Sequence, residues 1–581
     1  MSAPSQDVYE FGDFRLDAGK RLLLRRGEPV PLTPKVFDTL LHLVQHHGKV
    51  IAKDDLMHAV WPDTAVEENN LNQNISTLRR VFGENRGENR YIATVPGKGY
   101  HFIPAVEVFA GPAPSATGRV TVGVLPFRNL GADPDREYLA DGLTEEVIAT
   151  LGQLDASRLS VIGRTTMMAY KRANKTLAEI GRELGAAYLI ESSMRSEGGH
   201  LRITSNLIRV PDQVQIWSMS YDSEPSSMLQ FQREISVAIG EQVRLRLSPE
   251  RLSALGRRQT RNPEAYDLYL RGRYFWNQLS RVTTRRATEF FARATTLDPQ
   301  YALAWSGLAD AYTASPINGD APPLAVWPLA REAAAHAINA RPDLAESQTS
   351  SGFVKFWFDW DWPAGEAAFR RAIDLDPHYP LAHRLMGIVL AHMRRHEEAA
   401  AAVRRARELD PLLAGHHALS SQIAFMARDY ATALQFAKQS ITIDPEFWIG
   451  YMQLGQAYEQ LGEPHLALDA LNDAARLSGG NSKALSLRGY IFARTARTQS
   501  AHEVLDMLDA VAREHYVPRY ASALIYLGLG QLDQAIDCLA RAFEMRDVHL
   551  AFLPTDVKWD PLRQDPRFIA LLKQCGFVFD R

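Results

Sequence analysis

Cysteine is nearly absent: Cys538 and Cys575 are the only two in 581 residues. Two thiols build neither a disulfide framework nor a cysteine-rich zinc site. No run reaches the roughly 18 to 20 consecutive apolar residues that a membrane helix needs. Met1 to Glu10 lacks a basic stretch followed by an apolar one, so no secretory leader is expected. An excess of one charge is missing too. The formal net charge is −3, which taken by itself argues against a nucleic-acid partner. What is present suits a folded, cytoplasmic chain: 46% hydrophobic and 23% charged residues. The length predicts about three to five domains.

Two linkers stand out by composition. Residues 104–118 hold Pro104, Gly111, Pro112, Pro114 and Gly118 without helical or strand period. Residues 248–263 hold Pro249, Gly256 and Pro263 beside four arginines. After the second linker the chain repeats itself. Leu375-Asp376-Pro377, Leu409-Asp410-Pro411 and Ile443-Asp444-Pro445 follow one another at steps of 34 residues. In that frame Met386-Gly387, Ala399 and Ala406 occupy the slots that Leu454-Gly455, Ala467 and Ala474 occupy two steps of 34 later. Small residues at fixed slots let helix backbones approach, aromatics fill the gaps, and proline opens the next helix. This spacing resembles the tetratricopeptide repeat. It predicts an all-α superhelix over 264–581, with about seven or eight units and an insertion near Ser315 to Pro323. The run Phe356 to Trp362, with Trp357, Trp360 and Trp362, reads as packing between helices rather than a ligand cage.

The first hundred residues have a different pattern. Thr33-Pro34 before Val36, Phe37, Leu40, Leu41 and Val44 predicts a capped amphipathic helix stopped at Gly48. Lys53 to Trp61 predicts a second helix ended by Pro62. Thr64 and Glu67 have capping-box spacing for a third. The third helix has a core stripe of Leu71, Ile75, Leu78 and Phe82. Its other positions carry Asn70, Asn72, Gln73, Asn74, Ser76, Thr77, Arg79 and Arg80. Asparagine and glutamine are unfavourable helix formers, but their amides match the donor and acceptor pattern of base edges. Arg79 and Arg80 have the reach for phosphates. Tyr91 to Phe102 then reads as a hairpin with Lys98 on its glycine-rich tip.

Ile75-Ser76-x-Leu78-Arg79-Arg80 and Thr94-Val95-x-Gly97-x-Gly99-Tyr100, after a strand-rich lead-in from Tyr9 to Val30, resemble the winged helix-turn-helix of OmpR/PhoB-type transcription regulators. The resemblance implies a third helix in the major groove of double-stranded DNA and a wing on the flanking groove or backbone. It implies a DNA-binding role for the polar positions of the helix, with Thr94, Lys98 and Tyr100 on the wing. Thr77 and Pro96 stand where the family often has arginine, which implies a different target sequence and leaves Lys98 as the cation of the wing. No receiver precedes this region and no membrane helix follows it, so the chain resembles a cytoplasmic cousin of the CadC/ToxR group. Charge arrangement agrees: Thr77 to Ile103 carries five arginines and lysines against two glutamates, although Met1 to Ala110 carries 13 against 14. So small a basic patch predicts a homodimer or higher oligomer on adjacent half-sites.

Between the linkers, residues 119–250 alternate strand-like and helix-like runs and predict a small α/β domain. Strands are expected at Val120 to Phe127, Leu159 to Ile162, Tyr188 to Met194, Leu201 to Val210 and Val214 to Tyr221. Helices are expected at Glu137 to Leu154, Leu177 to Leu184 and about Pro225 to Leu247. Val124-Leu125-Pro126-Phe127 and Tyr138-x-Ala140-Asp141-Gly142-Leu143-Thr144-Glu145-Glu146 resemble the TolB-N/FlgO-like domain of bacterial regulators. In related chains that domain also accompanies adenylate cyclase domains, so it implies coupling rather than a reaction. Asp133, Asp135 and Glu137 read as solvated acids, because their loop lacks the glycine and terminal glutamate of a calcium site.

No phosphate-binding loop, zinc-protease or serine-hydrolase motif occurs, so no catalytic residue, cofactor or metal is expected. The whole chain reads as a multidomain regulator: a winged helix over 1–105, linker 106–118, an α/β domain over 119–250, linker 251–263, then the repeats. The α/β domain and the repeats would sense a signal or partner and control oligomerisation, and the repeats would bind RNA polymerase or another protein. Two other readings remain open: a repeat-based adaptor whose winged helix docks protein, and a nucleotide-binding enzyme built on the middle domain.

Overall fold

The computed structural model describes residues 8–17, 22–25, 28–30, 32–61, 68–84, 88–104, 106–109, 119–131, 136–154, 158–171, 173–197, 200–223, 234–235, 237–239, 242, 260–278, 281–318 and 321–577. The proposed capping pair Thr64/Glu67, Pro62, Arg86, Asp133, Asp135 and most of the expected helix 225–247 lie outside these. The chain divides into two units, Met1–Arg119 and Val120–Arg581.

In the first unit, β1 (Val8–Phe11), β2 (Phe14–Asp17), β3 (Leu22–Arg25) and β4 (Glu28–Val30) form an antiparallel sheet. Three helices follow: α1 (Pro34–Gln45), α2 (Lys53–Val60) and α3 (Glu68–Phe82). Between α1 and α2, β5 (Val50–Ala52) joins the hairpin of β6 (Ile92–Val95) and β7 (Gly99–Phe102) in a sheet ordered β5-β7-β6. Thr33 is the residue before α1 and Pro34 its first, as expected, but the Thr33 hydroxyl caps no N–H. The strand-poor reading of 104–118 needs correction at one place. Glu107–Phe109 forms β8 and pairs antiparallel with β1, giving the order β4-β3-β2-β1-β8. Three residues are too few for an alternating pattern to be legible. Phe11, Phe14, Phe82, Tyr91 and Phe102 pack edge-on and stacked where the two sheets meet α3.

The second unit opens with an α/β fold. Its strands are β9 (Val120–Val124), β10 (Arg128–Asn129), β11 (Leu159–Val161), β12 (Tyr188–Glu197), β13 (His200–Arg209) and β14 (Val214–Ser223). They make one mixed sheet ordered β11-β9-β12-β13-β14, with β10 beside β12. Helix α4 (Glu137–Gly152) and α6 (Leu177–Leu184) match the expected helices, and α6 begins with a complete Thr176/Glu179 capping box. A short helix, α5 (Arg164–Met168), had no periodic signal in five residues.

Eight antiparallel helix pairs follow between Pro263 and Glu544 among the described residues. The small slots of the 34-residue frame are the contact points: Ala399, Ala406, Ala467 and Ala474 are fully buried. A Cβ on Gly455 would lie 2.7 Å from Leu471. Past Glu544 the pairing stops. Two 3-10 helices, Val548–Phe552 and Val557–Leu562, and a last helix, Pro566–Gln574, fold back on much earlier repeats. The aromatic run is buried, as expected, but its partners are distant in sequence. Trp357 packs on Phe552, Trp362 stacks on Phe577 at 4.4 Å, and the Trp362 indole donates to the Cys575 carbonyl at 3.1 Å.

Candidate nucleic-acid interface

Helix α3 presents four faces, each with its own chemistry. Leu71, Ile75, Leu78 and Phe82 are buried, at 0 to 2% exposure, and fasten the helix to the core. Asn74 lies on the side toward α1: its Nδ2 donates to Thr39 Oγ1 at 2.9 Å and to the Lys35 carbonyl at 3.2 Å. Seven residues apart, and so on one side, Asn72 and Arg79 face the wing. Tyr100 donates its hydroxyl to Asn72 Oδ1 at 2.7 Å. Arg79 donates to the Ile92 carbonyl at 3.0 Å and to Thr94 Oγ1 at 2.8 Å, with Glu84 alongside at 3.8 Å. Glu84 in turn accepts the backbone N–H groups of Tyr91 and Ile92.

The fourth face points outward. Asn69, Asn70, Gln73, Ser76 and Arg80 are exposed, and none has a side-chain hydrogen bond or ion pair among the described residues. Thr77 is half-buried and its hydroxyl donates back to the Gln73 carbonyl at 2.9 Å. On the wing, Lys98 is exposed at the turn between β6 and β7, where its N–H closes the turn on the Val95 carbonyl at 3.0 Å. The turn needs its glycines. Gly97 has φ +72°, and at Gly99 a Cβ would lie 1.9 Å from the Ile51 carbonyl oxygen of the paired strand β5.

This geometry divides the residues expected from sequence. Asn70, Gln73, Ser76, Arg80 and Lys98 are available to a ligand. Asn72, Asn74, Arg79, Thr94 and Tyr100 have groups engaged in bracing the helix against α1 and the wing. Arg79, read as a phosphate contact, directs its Nη2 to the two acceptors on the wing, while its Nε lies 3.8 Å from Glu84 without a hydrogen bond. Asn69 was not among the expected residues, yet it belongs to the outward face. Its signal was present: it stands four positions before Gln73, one turn back.

Residues 27–102 match the family model described as "Transcriptional regulatory protein, C terminal", and residues 361–414, 450–481 and 519–549 match tetratricopeptide repeat models. The class is that of the OmpR/PhoB-type winged-helix DNA-binding domains, joined here to tetratricopeptide repeats. Among particular proteins, the chain is similar to the transcriptional regulator HilA of Salmonella typhi, with 24% identity over 462 residues, 78% of this chain and 74% of HilA. It is also similar to a putative adenylate cyclase 3 of Rhizobium meliloti, with 31% identity over 202 residues; that match spans 35% of this chain and about a third of the cyclase (34%). Among solved structures, the DNA-binding domain of E. coli CadC is 29% identical, with 18% of this chain and 99% of that domain covered and a TM-score of 0.17. No described helix is long and apolar enough to cross a membrane.

Proposed function

We propose that the chain is a sequence-specific, DNA-binding transcription regulator of the cytoplasm, and not an enzyme. Helix α3 enters the major groove and reads base edges with Asn69, Gln73 and Ser76, while Arg80 and Lys98 engage phosphates on either side. The observation that carries this reading is the outward face of α3. Amide, hydroxyl and guanidinium groups stand there exposed and, among the described residues, unpartnered, on a helix where Asn72, Asn74 and Arg79 are engaged. Amides pair with adenine N6 and N7, and a bidentate contact of that kind is worth about 1–3 kcal/mol in discrimination. With so few free cations, one copy has modest affinity. Two copies on adjacent half-sites therefore bind together, and the repeats contact RNA polymerase or another protein partner.

The test is retention of genomic DNA fragments by the full chain at increasing salt. We expect sequence-selective, salt-sensitive retention; none at low salt would sink the proposal. Gln73→Ala should change which sequences are preferred. Lys98→Ala should weaken binding on every sequence and lower the salt slope by about one.

A further inference from the structure

The first helices of successive repeats line a cavity of about 1910 Å³ in the second unit. Typical small-molecule sites enclose about 300–1,000 Å³, so there is room for a ligand with water. Most buried charges near it are matched. Glu145 accepts from Arg273 Nε at 2.8 Å and from Asn277 at 2.9 Å, and Lys558 reaches Asp556 at 3.0 Å and Gln456 at 2.8 Å. Two charges on the wall are not matched in this way. Asp310, on helix Ala302–Asn318, is 4% exposed; its carboxylate has the uncharged Ser350 hydroxyl as a hydrogen-bond partner, but Oδ1 has none. Arg384, on helix Pro380–His392, is half-buried and has no hydrogen bond or ion pair among the described residues. Both line the same cavity. Trp357 also lines it, 3% exposed, with its indole N–H unpartnered.

Burying an ion without a partner is costly, and direct pairing is the usual remedy. Here a carboxylate and a guanidinium face one space without joining. A lone cation would leave Arg384 unmatched, a lone anion would leave Asp310 unmatched, and an apolar ligand would leave both. Arg384 opposes the upward shift of the Asp310 carboxyl and Asp310 opposes the downward shift of Arg384, as opposite charges lining one cavity do. We propose that this cavity binds a small zwitterion with an apolar body, an α-amino acid or a compound of the same charge pattern. Its ammonium meets Asp310 and its carboxylate meets Arg384 and the Trp357 N–H. Phe353, Leu385 and Ile388, on the same wall, receive the apolar part. The proposal rests on the reading of the repeats as the part that senses a signal. Thr165 and Ala169, at the α5 end of the α/β fold, share the cavity wall, so an occupant touches both parts of the unit.

Burial pushes the Asp310 carboxyl up to about 7, with Glu346 adding to the shift while Ser350, Arg273 and Arg384 oppose it. An ammonium ligand selects the ionised form, so binding releases a proton and affinity rises about tenfold from pH 6 to pH 8. The experiment is titration calorimetry of the full chain with L-leucine and L-phenylalanine, their N-acetyl derivatives and their amides. We expect the free amino acids to bind and either blocking group to weaken binding at least tenfold. Asp310→Asn should abolish discrimination against the N-acetyl forms, and Arg384→Gln discrimination against the amides. Asp310→Asn should also melt higher than the parent at pH 8, which shows that the loss is not unfolding. No heat or melting shift with either free amino acid, or equal binding of blocked and free forms, overturns the site. DNA retention with and without the amino acid separates the readings. Binding without an effect on DNA keeps the site and overturns sensing, whereas ligand binding by a chain that ignores DNA strikes only the proposed function.

Discussion

Asn72 and Asn74 stand two positions apart on one helix and do different work. Asn72 accepts from the wing tyrosine, and Asn74 donates to α1. The sequence identified both as polar positions on a helix with a clear core stripe, and that much follows from a 3.6-residue period. Which neighbour each would meet does not follow, because the partners lie 28 and 35 residues away. We therefore expect Asn74→Ala to lower the melting temperature of the first unit, by about 1 kcal/mol of lost hydrogen bonding, without re-ranking DNA sequences. A change of sequence preference at unchanged stability would show that Asn74 reads bases instead. A second residue sets a pH response. His392 is buried against Phe356, Trp357 and Phe552, and burial lowers its pKa from 6.5 to about 4. The folded-state value lies below the unfolded one, so this stabilising effect is complete above pH 6.5 and is lost as pH falls toward 4. At 1.36 kcal/mol per unit the loss is about 3 kcal/mol. Urea unfolding of His392→Gln should show a flatter acid limb than the parent; parallel limbs would rule this out.

At the scale of elements, the wing is held as a unit. Strand β7 is paired on both sides, by β5 and β6. Gly99 permits this, since its missing side chain is where the Ile51 carbonyl lies. Gly99→Ala should separate β5 from β7 and destabilise the first unit by more than about 2 kcal/mol, read by thermal unfolding. An unchanged melting temperature would contradict the close approach. The glycine-rich hairpin was legible because turns have a local chemistry. Strand β8 was not, because its pairing with β1 joins residues about a hundred apart, Tyr9 with Val108.

For the molecule as a whole, the α/β fold grips the repeats. Asp376 and Asp444, and Asp298 in the matching Leu297-Asp298-Pro299 of an earlier repeat, accept the N–H two residues ahead. Asp410 does not follow them: it accepts from the N–H groups of Thr165 and Thr166 and from the Thr166 hydroxyl. Gly163 donates its N–H to the Leu409 carbonyl at 2.6 Å and leaves room beside Asp410. Tyr138 adds a hydrogen bond to Asp267 at 2.5 Å. Calorimetry of the full chain should show the α/β fold and the repeats unfolding together. Gly163→Ala, whose Cβ would sit 2.6 Å from the Asp410 side chain, should cost about 1–3 kcal/mol and split or lower that transition. An unaltered transition would mean that the docking contributes nothing to cooperativity.

What is periodic and local could be read along the chain: the third helix with its polar faces, the wing turn, the mixed α/β strands and the 34-residue helical repeat. These depend on interactions within a few residues, or on a spacing that recurs. Which polar groups stay exposed depends instead on long-range packing. Arg79 and Arg80 are adjacent and chemically identical, yet one is turned to Glu84 and hydrogen-bonded to the wing and the other is exposed. Likewise Asp410 matches the other repeat aspartates in sequence, and only the arrival of residues 163–166, some 245 positions earlier, turns it into a clamp. Hydrogen-bond partners brought together over such distances leave no local trace in the chain.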